Sequence, residues 1–164
     1  MKTWFWISGL AVLVTLGLLA GCDEKNIREL EEGVSTEADV RARFGVPEKI
    51  WEDPDGSRTF EYNRQPAGAK NYMITIGPDG KMSALRQVLA PHVFAQVQPG
   101  MTEEQVRRLL GKPAQRMTFT LKQETDWDWN WVDPPNREMV FTVTFGPDGL
   151  VQRSASTDRQ PHGG

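Results

Sequence analysis

Two stretches of this chain carry the same punctuation, and few folds can accommodate that. Thr102-Glu103-Glu104-Gln105-Val106-Arg107-Arg108-Leu109-Leu110-Gly111-Lys112-Pro113 reads as one short helix closed at both ends. Thr102 is an N-cap, and Gln105 three residues on completes a capping box. Met101 and Val106 stand at the two positions of a hydrophobic staple. Glu103 and Glu104 face the positive helix start. Val106, Leu109 and Leu110 form one apolar stripe. Gly111 suits a left-handed cap, and Pro113 prevents continuation. Thr36-Glu37-Ala38-Asp39-Val40-Arg41-Ala42-Arg43-Phe44-Gly45-Val46-Pro47 matches this pattern cap for cap, with Asp39 in the place of Gln105. A second anchor follows each helix: Ile74-Thr75-Ile76 and Val143-Thr144-Phe145 both run into Gly-Pro-Asp-Gly, a strand entering a turn. Two anchors in the same order mean an internal duplication of about 66–69 residues, longer than a solenoid repeat.

Each unit reads as two short helices followed by an antiparallel sheet, an α+β arrangement. Asn26 to Glu32 is expected to form the first helix, with Ile27 and Leu30 inward; Pro91 to Gln96 is its counterpart, with Pro91 at N1. Strands are expected at Lys49 to Glu52, Arg58 to Asn63, Asn71 to Ile76 and Lys81 to Val88. In the second unit they are expected at Arg116 to Leu121, Asp126 to Val132, Met139 to Phe145 and Leu150 to Ser154. The expected domains are 22–88 and 89–156, with a disordered polar tail at 157–164. A unit of about 65 residues buries little core alone, so the two are expected to pack together.

The N-terminus bears on location. Lys2 precedes an apolar run from Trp4 to Ala20, short for a membrane-spanning helix of about 20 residues and suited to a secretory leader at 1–21. The run ends in Leu19-Ala20-Gly21-Cys22, which resembles a bacterial lipobox, where the cysteine becomes the lipid-modified first residue. Membrane lipid, reached through an acylated Cys22, is therefore one expected partner. Cys22 is the only cysteine, so no internal disulfide can form. Asp23 and Glu24 follow. An acidic residue there resembles the signal that retains lipoproteins in the inner membrane of enteric bacteria.

The motif Pro99-Gly100-Met101-Thr102, with Val106, Leu109-Leu110-Gly111 and Pro113, followed by strands and a glycine turn, resembles the BamE (small protein A/OmlA) lipoprotein family. Phe60-Glu61-Tyr62-Asn63-Arg64-Gln65-Pro66-Ala67-Gly68 is similar to that family's aromatic strand ending in Arg-Gln. The resemblance covers almost all of the mature chain, as two units rather than one. It implies an outer-membrane lipoprotein, facing the periplasm, with a scaffold or accessory role in outer-membrane protein assembly or envelope integrity. Its partners would be envelope assembly proteins, and Arg64 a contact to them; the second unit has Asp133 after Val132 instead. The outer-membrane cue and the Asp23 cue point to different membranes. A tandem of such units also resembles the β-lactamase inhibitor protein fold, in which a concave sheet holds an enzyme. Those inhibitors carry disulfides, which this mature chain cannot form.

No stretch supplies a catalytic constellation. His92 and His162 are the only histidines, too few for a zinc site of three or four ligands. No nucleophile elbow or phosphate loop is present, so neither a cofactor nor a small-molecule substrate is expected. Adjacent Glu31-Glu32 and Glu103-Glu104 do not face each other on a helix. Formal net charge is -3 at pH 7, and one unit more negative without Lys2, which argues against nucleic acid binding. The unusual stretch is Asp126-Trp127-Asp128-Trp129-Asn130-Trp131. In a strand its three tryptophans share one face. That face either packs on the capped helices or forms an exposed docking stripe, where Trp127, Trp129 and Trp131 would contact a partner.

Overall fold

The computed structural model describes residues 19–159. Elements follow in the order α1 (Leu19–Arg28), α2 (Glu37–Phe44), β1 (Lys49–Glu52), β2 (Arg58–Asn63), β3 (Asn71–Ile76), β4 (Met82–Gln87), α3 (Pro91–Phe94), α4 (Glu103–Leu110), β5 (Gln115–Phe119), β6 (Glu124–Asp133), β7 (Arg137–Phe145) and β8 (Val151–Asp158). The strands form two antiparallel sheets, β1-β2-β3-β4 and β5-β6-β7-β8. The fold is α+β, in tandem.

The duplication reaches the hydrogen bonds. Both Thr36 and Thr102 make full capping boxes. Both are also bridged to the start of their unit's last strand, Thr36 to Lys81 and Thr102 to Leu150. In both turns the glycine N–H donates across the turn, Gly77 to Lys81 and Gly146 to Leu150. A bulge falls between Thr75 and Ile76 in one sheet and between Thr144 and Phe145 in the other. Gly45 and Gly111 end their helices at φ 81 and 77. Their ψ values of -153 and -173 are extended rather than the left-handed helical value expected. Each carbonyl instead accepts a side chain from its own sheet: the Tyr62 hydroxyl donates to Gly45 at 3.1 Å, and Trp129 Nε1 donates to Gly111 at 3.1 Å.

The packing is layered. α2 covers one face of the first sheet, with Val40 and Phe44 against Phe60, Tyr62, Tyr72, Ile74, Ile76 and Met82. α4 lies between the sheets. Val106 and Leu110 enter the second core with the three tryptophans, Phe141, Val143 and Phe145. From its other side Arg107 reaches Glu61, and Arg108 reaches Asp53, on the back of the first sheet. Met73 of β3 points the same way and belongs to the second core. The units therefore share a boundary built from both.

Several boundaries differ from expectation, most by one or two residues. The first helix ends at Arg28 rather than Glu32, because the backbone beyond bends to meet β4: Gly33 N–H donates to Met82 at 2.7 Å, and Glu31 N–H donates to Ser35 Oγ. Ile27 and Leu30 still pack on the first core. The last strand runs to Asp158, paired with Met139, so Thr157 and Asp158 are strand and not tail. Its exposed polar residues show no apolar alternation, and β7 supplies the pairing. Of the expected leader, residues 1–18 lie outside the described residues and Leu19–Gly21 open α1, as does most of the expected tail lie outside.

Candidate functional site

The residues marked by the sequence converge on one junction. Arg64 follows the end of β2 and meets the residue after Cys22. Its Nε and Nη2 donate to the two carboxylate oxygens of Asp23 at 2.9 and 3.0 Å. Such a two-pronged pair fixes direction as well as distance. Asp23 is 8% exposed. The hydrogen bond it donates to Asp23 raises the guanidinium's already high pKa, against the opposing effect of burial. Beside the pair, burial pushes the Tyr72 hydroxyl up to about 12, and the Asp23 charge adds to the shift. Arg64 is thus engaged within the chain, while its side chain keeps 32% exposure.

Gln65 faces the other unit. Its Nε2 donates to the Asn130 carbonyl at 2.7 Å, and the Asn130 N–H donates to its Oε1 at 3.0 Å. β5 pairs with β6 only as far as Asp128, so beyond it the β6 backbone has an open edge. The Gln65 amide occupies that edge as a one-residue strand would. Asn71, wholly buried, ties the same corner: Nδ2 donates to the carbonyls of Leu110 and Lys112, and its Oδ1 accepts from Arg64 N–H. A Cβ on Gly111 would stand 2.9 Å from that Nδ2, so the close approach, as well as the positive φ, requires glycine.

Glu61 is the buried charge of the boundary, at 0% exposure. Arg107 Nε and Nη2 donate to its two oxygens, both at 3.1 Å, and Lys112 N–H adds a third bond at 2.9 Å. Every carboxylate oxygen is answered, as a buried charge requires. Around it, Arg108 stacks over Trp51 at 4.6 Å and Lys112 pairs with Glu48 at 2.7 Å.

Trp127, Trp129 and Trp131 are 2%, 0% and 5% exposed. Phe94 of α3 meets Trp131 edge-on at 5.1 Å and stacks on Phe141 at 4.1 Å. The stripe is core, and the docking stripe is corrected: α3 and α4 cover it. Arg116 lies over Trp127 at 3.9 Å at the open end. The opposite face is polar, with Thr142 and Thr144 donating to Asp128 and Asp126, each at 2.6 Å.

Sequence reasoning missed Glu61, Gln65, Asn71 and the role of Asp23. A polar residue inside an alternating strand normally faces water. Only knowledge that α4 covers the back of the first sheet reverses that reading. Among the described residues no group of His, Cys, Asp and Glu is placed to hold a metal ion, and no helix is long and apolar enough to cross a membrane.

The arrangement defines a class: a tandem α+β protein whose repeated sheets clasp a shared helix. Residues 87–155, the second unit, match the outer membrane protein assembly factor BamE domain. That match covers the second unit alone, so the second unit is similar to the BamE domain. No curated protein matches it. Among solved structures it is similar to a putative osmotically inducible lipoprotein, OsmE, at 21% identity and TM-score 0.36, over 40% of this chain and 75% of that one. A DUF4309 family protein, YjgB, from Bacillus subtilis is 22% identical at TM-score 0.31, over 80% and 84%. A putative beta-lactamase inhibitor protein from Streptococcus mutans is 10% identical at TM-score 0.33, over 83% and 94%.

Proposed function

We propose that this is a lipid-anchored envelope protein with a non-enzymatic scaffold or accessory role in outer-membrane protein assembly or envelope integrity. Two BamE-like units, at 22–88 and 89–158, form its body. The observation that carries the reading is the BamE match over 87–155. Cys22 carries the anchor, supported by Leu19-Ala20-Gly21-Cys22 at the end of an apolar run. The outer membrane is the favoured location, because Asp23 is spent on Arg64 rather than displayed as a retention signal. The partners are envelope assembly proteins.

The test captures the tagged full chain from detergent-solubilised membranes and identifies what co-purifies. Recovery of outer-membrane assembly proteins is expected. Capture of none, together with unaltered outer-membrane protein levels in a deletion strain, would end the scaffold reading. Cys22→Ser is expected to release the chain from the membrane pellet or block its processing. Membranes separated by density test the leaflet, and recovery with inner-membrane markers would reverse the assignment.

A further inference from the structure

Between the expected anchor and the folded body there is no spacer. α1 contains Cys22 and continues to Arg28. The next residue, Asp23, is already buried and held by both guanidinium nitrogens of Arg64. Three residues further, Asn26 Nδ2 donates to the Arg43 carbonyl at 2.9 Å, and Ile27 packs on the first core. Lys70, at the other end of the loop that Arg64 opens, stands 3.6 Å from Glu24. The loop 64–70 is thus fastened at both ends to the two residues that follow Cys22.

We propose that the Asp23–Arg64 pair locks the body onto its own anchor, so that the loop 64–70 lies on the lipid surface. The inference rests on acylation of Cys22. An acyl chain in the hydrocarbon places its cysteine at headgroup level. Consecutive Cα atoms are about 3.8 Å apart, so Asp23 stands at that level too, and it brings Arg64 with it. The loop suits the position. Pro66 and Ala67 are exposed and uncharged, so they meet the interface without desolvating a charge. Lys70 is exposed and pairs with Glu24, which leaves a near-neutral polar rim for headgroups. Gln65 then passes the attitude on to the second sheet through Asn130. A lipoprotein on a flexible tether samples many orientations; this one holds a single attitude, with the loop 64–70 at the membrane and the β5–β6 hairpin of the second unit pointing away from it.

The experiment uses full-length acylated chain in vesicles of phosphatidylethanolamine and phosphatidylglycerol. One fluorophore is placed by Ala67→Cys, or by Leu121→Cys in the exposed β5–β6 hairpin at the opposite end of the second sheet as control, and headgroup-level spin-labelled lipid is the quencher. Mass spectrometry of the N-terminal peptide first establishes the acyl group on Cys22. The label at 67 is expected to be quenched and the label at 121 spared. Arg64→Ala is expected to abolish the difference between the two sites while vesicle binding persists. Asp23→Asn, which leaves Arg64 in place, is expected to do the same, and circular dichroism of each variant verifies the fold. An acylated chain whose label at 67 escapes quenching overturns the proposal. So does a folded Asp23→Asn chain whose pattern is unchanged. A chain without an acyl group would end the anchor reading, and the proposal with it.

Discussion

The two units share a backbone and differ in what lies against it. Caps, turns, bulges and bridges recur position for position. Side chains at matching positions do not share a fate. By strand register Tyr62 corresponds to Trp129, Glu61 to Asp128 and Arg64 to Trp131. Glu61 is sealed against Arg107, whereas Asp128 lies on an open face with Thr142. Arg64 grips Asp23, whereas Trp131 packs on Phe94. The reason is coverage. The first sheet has a helix on each face, its own α2 and the other unit's α4; the second sheet has helices on one face only. A duplication fixes backbone geometry locally, while each position's solvent exposure depends on how the units dock.

At the aromatic position the two units agree, Tyr62 and Trp129 both buried and bonded to a cap glycine, and the expected cost follows what is removed. Trp129→Ala removes a wholly buried indole and its bond to Gly111, and is expected to cost about 3–5 kcal/mol. Tyr62→Phe removes only the bond to Gly45, and is expected to cost about 0.5–1.5 kcal/mol. Urea unfolding of both variants measures the gap. Equal costs would mean that the second core tolerates the loss as a surface would.

Next comes the buried carboxylate. Glu61→Ala leaves Arg107 facing an emptied site, and is expected to cost about 3 kcal/mol, the lower end for a broken buried pair because Arg107 keeps some access to water. Asp128→Ala, at the same register position, is expected to cost under about 1 kcal/mol. Thermal melts of the two variants decide it. A mild Glu61→Ala would mean that the units hold together without this pair.

The caps, in contrast, are expected to behave alike. Thr36→Ala and Thr102→Ala each lose the acceptor for an N3 N–H, at 3.3 and 3.2 Å, and each is expected to cost about 0.5–2 kcal/mol. A large difference between them in chemical denaturation would show that helix position outweighs cap chemistry.

Legibility in the sequence follows the same division. Features made within one stretch were readable: both capping boxes, the Val106–Leu110 stripe, the paired Gly-Pro-Asp-Gly turns, and three strands of the first sheet to the residue. The Trp alternation showed one apolar face but not its cover. Glu61 and Asn71 were unreadable because a helix about 40 residues away turns their side of the sheet inward. Arg64 stands out through the resemblance, but its bond to Asp23 is not legible, because Asp23 lies 41 residues away in sequence. Glu29 to Glu32 read as helix because nothing in them announces that β4 will claim the backbone just beyond.

The smallest expected effect separates the units by pH. Glu37 opens α2 and accepts from Arg41 at 2.8 Å and from Arg58 of the neighbouring strand. The hydrogen bond from Arg41 chiefly, and Arg58 after it, holds its carboxyl below the usual 4.5. The matching residue in the second unit, Glu103, makes no ion pair among the described residues. A carboxylate with a depressed folded pKa contributes stability above its unfolded value. That contribution fades as pH falls from about 4.5 through the folded value. Glu37→Gln is therefore expected to cost about 0.2–1 kcal/mol near neutrality, the range of partly exposed ion pairs. The gap from the parent chain should close as the pH is taken below 4.5. Glu103→Gln removes no such bridge and is expected to cost less near neutrality. Urea midpoints of the three chains across that range measure it. A Glu103→Gln gap as large as that of Glu37→Gln, closing in the same window, would mean that both carboxylates act through their helix starts alone, and that the bridge from α2 to Arg58 adds nothing.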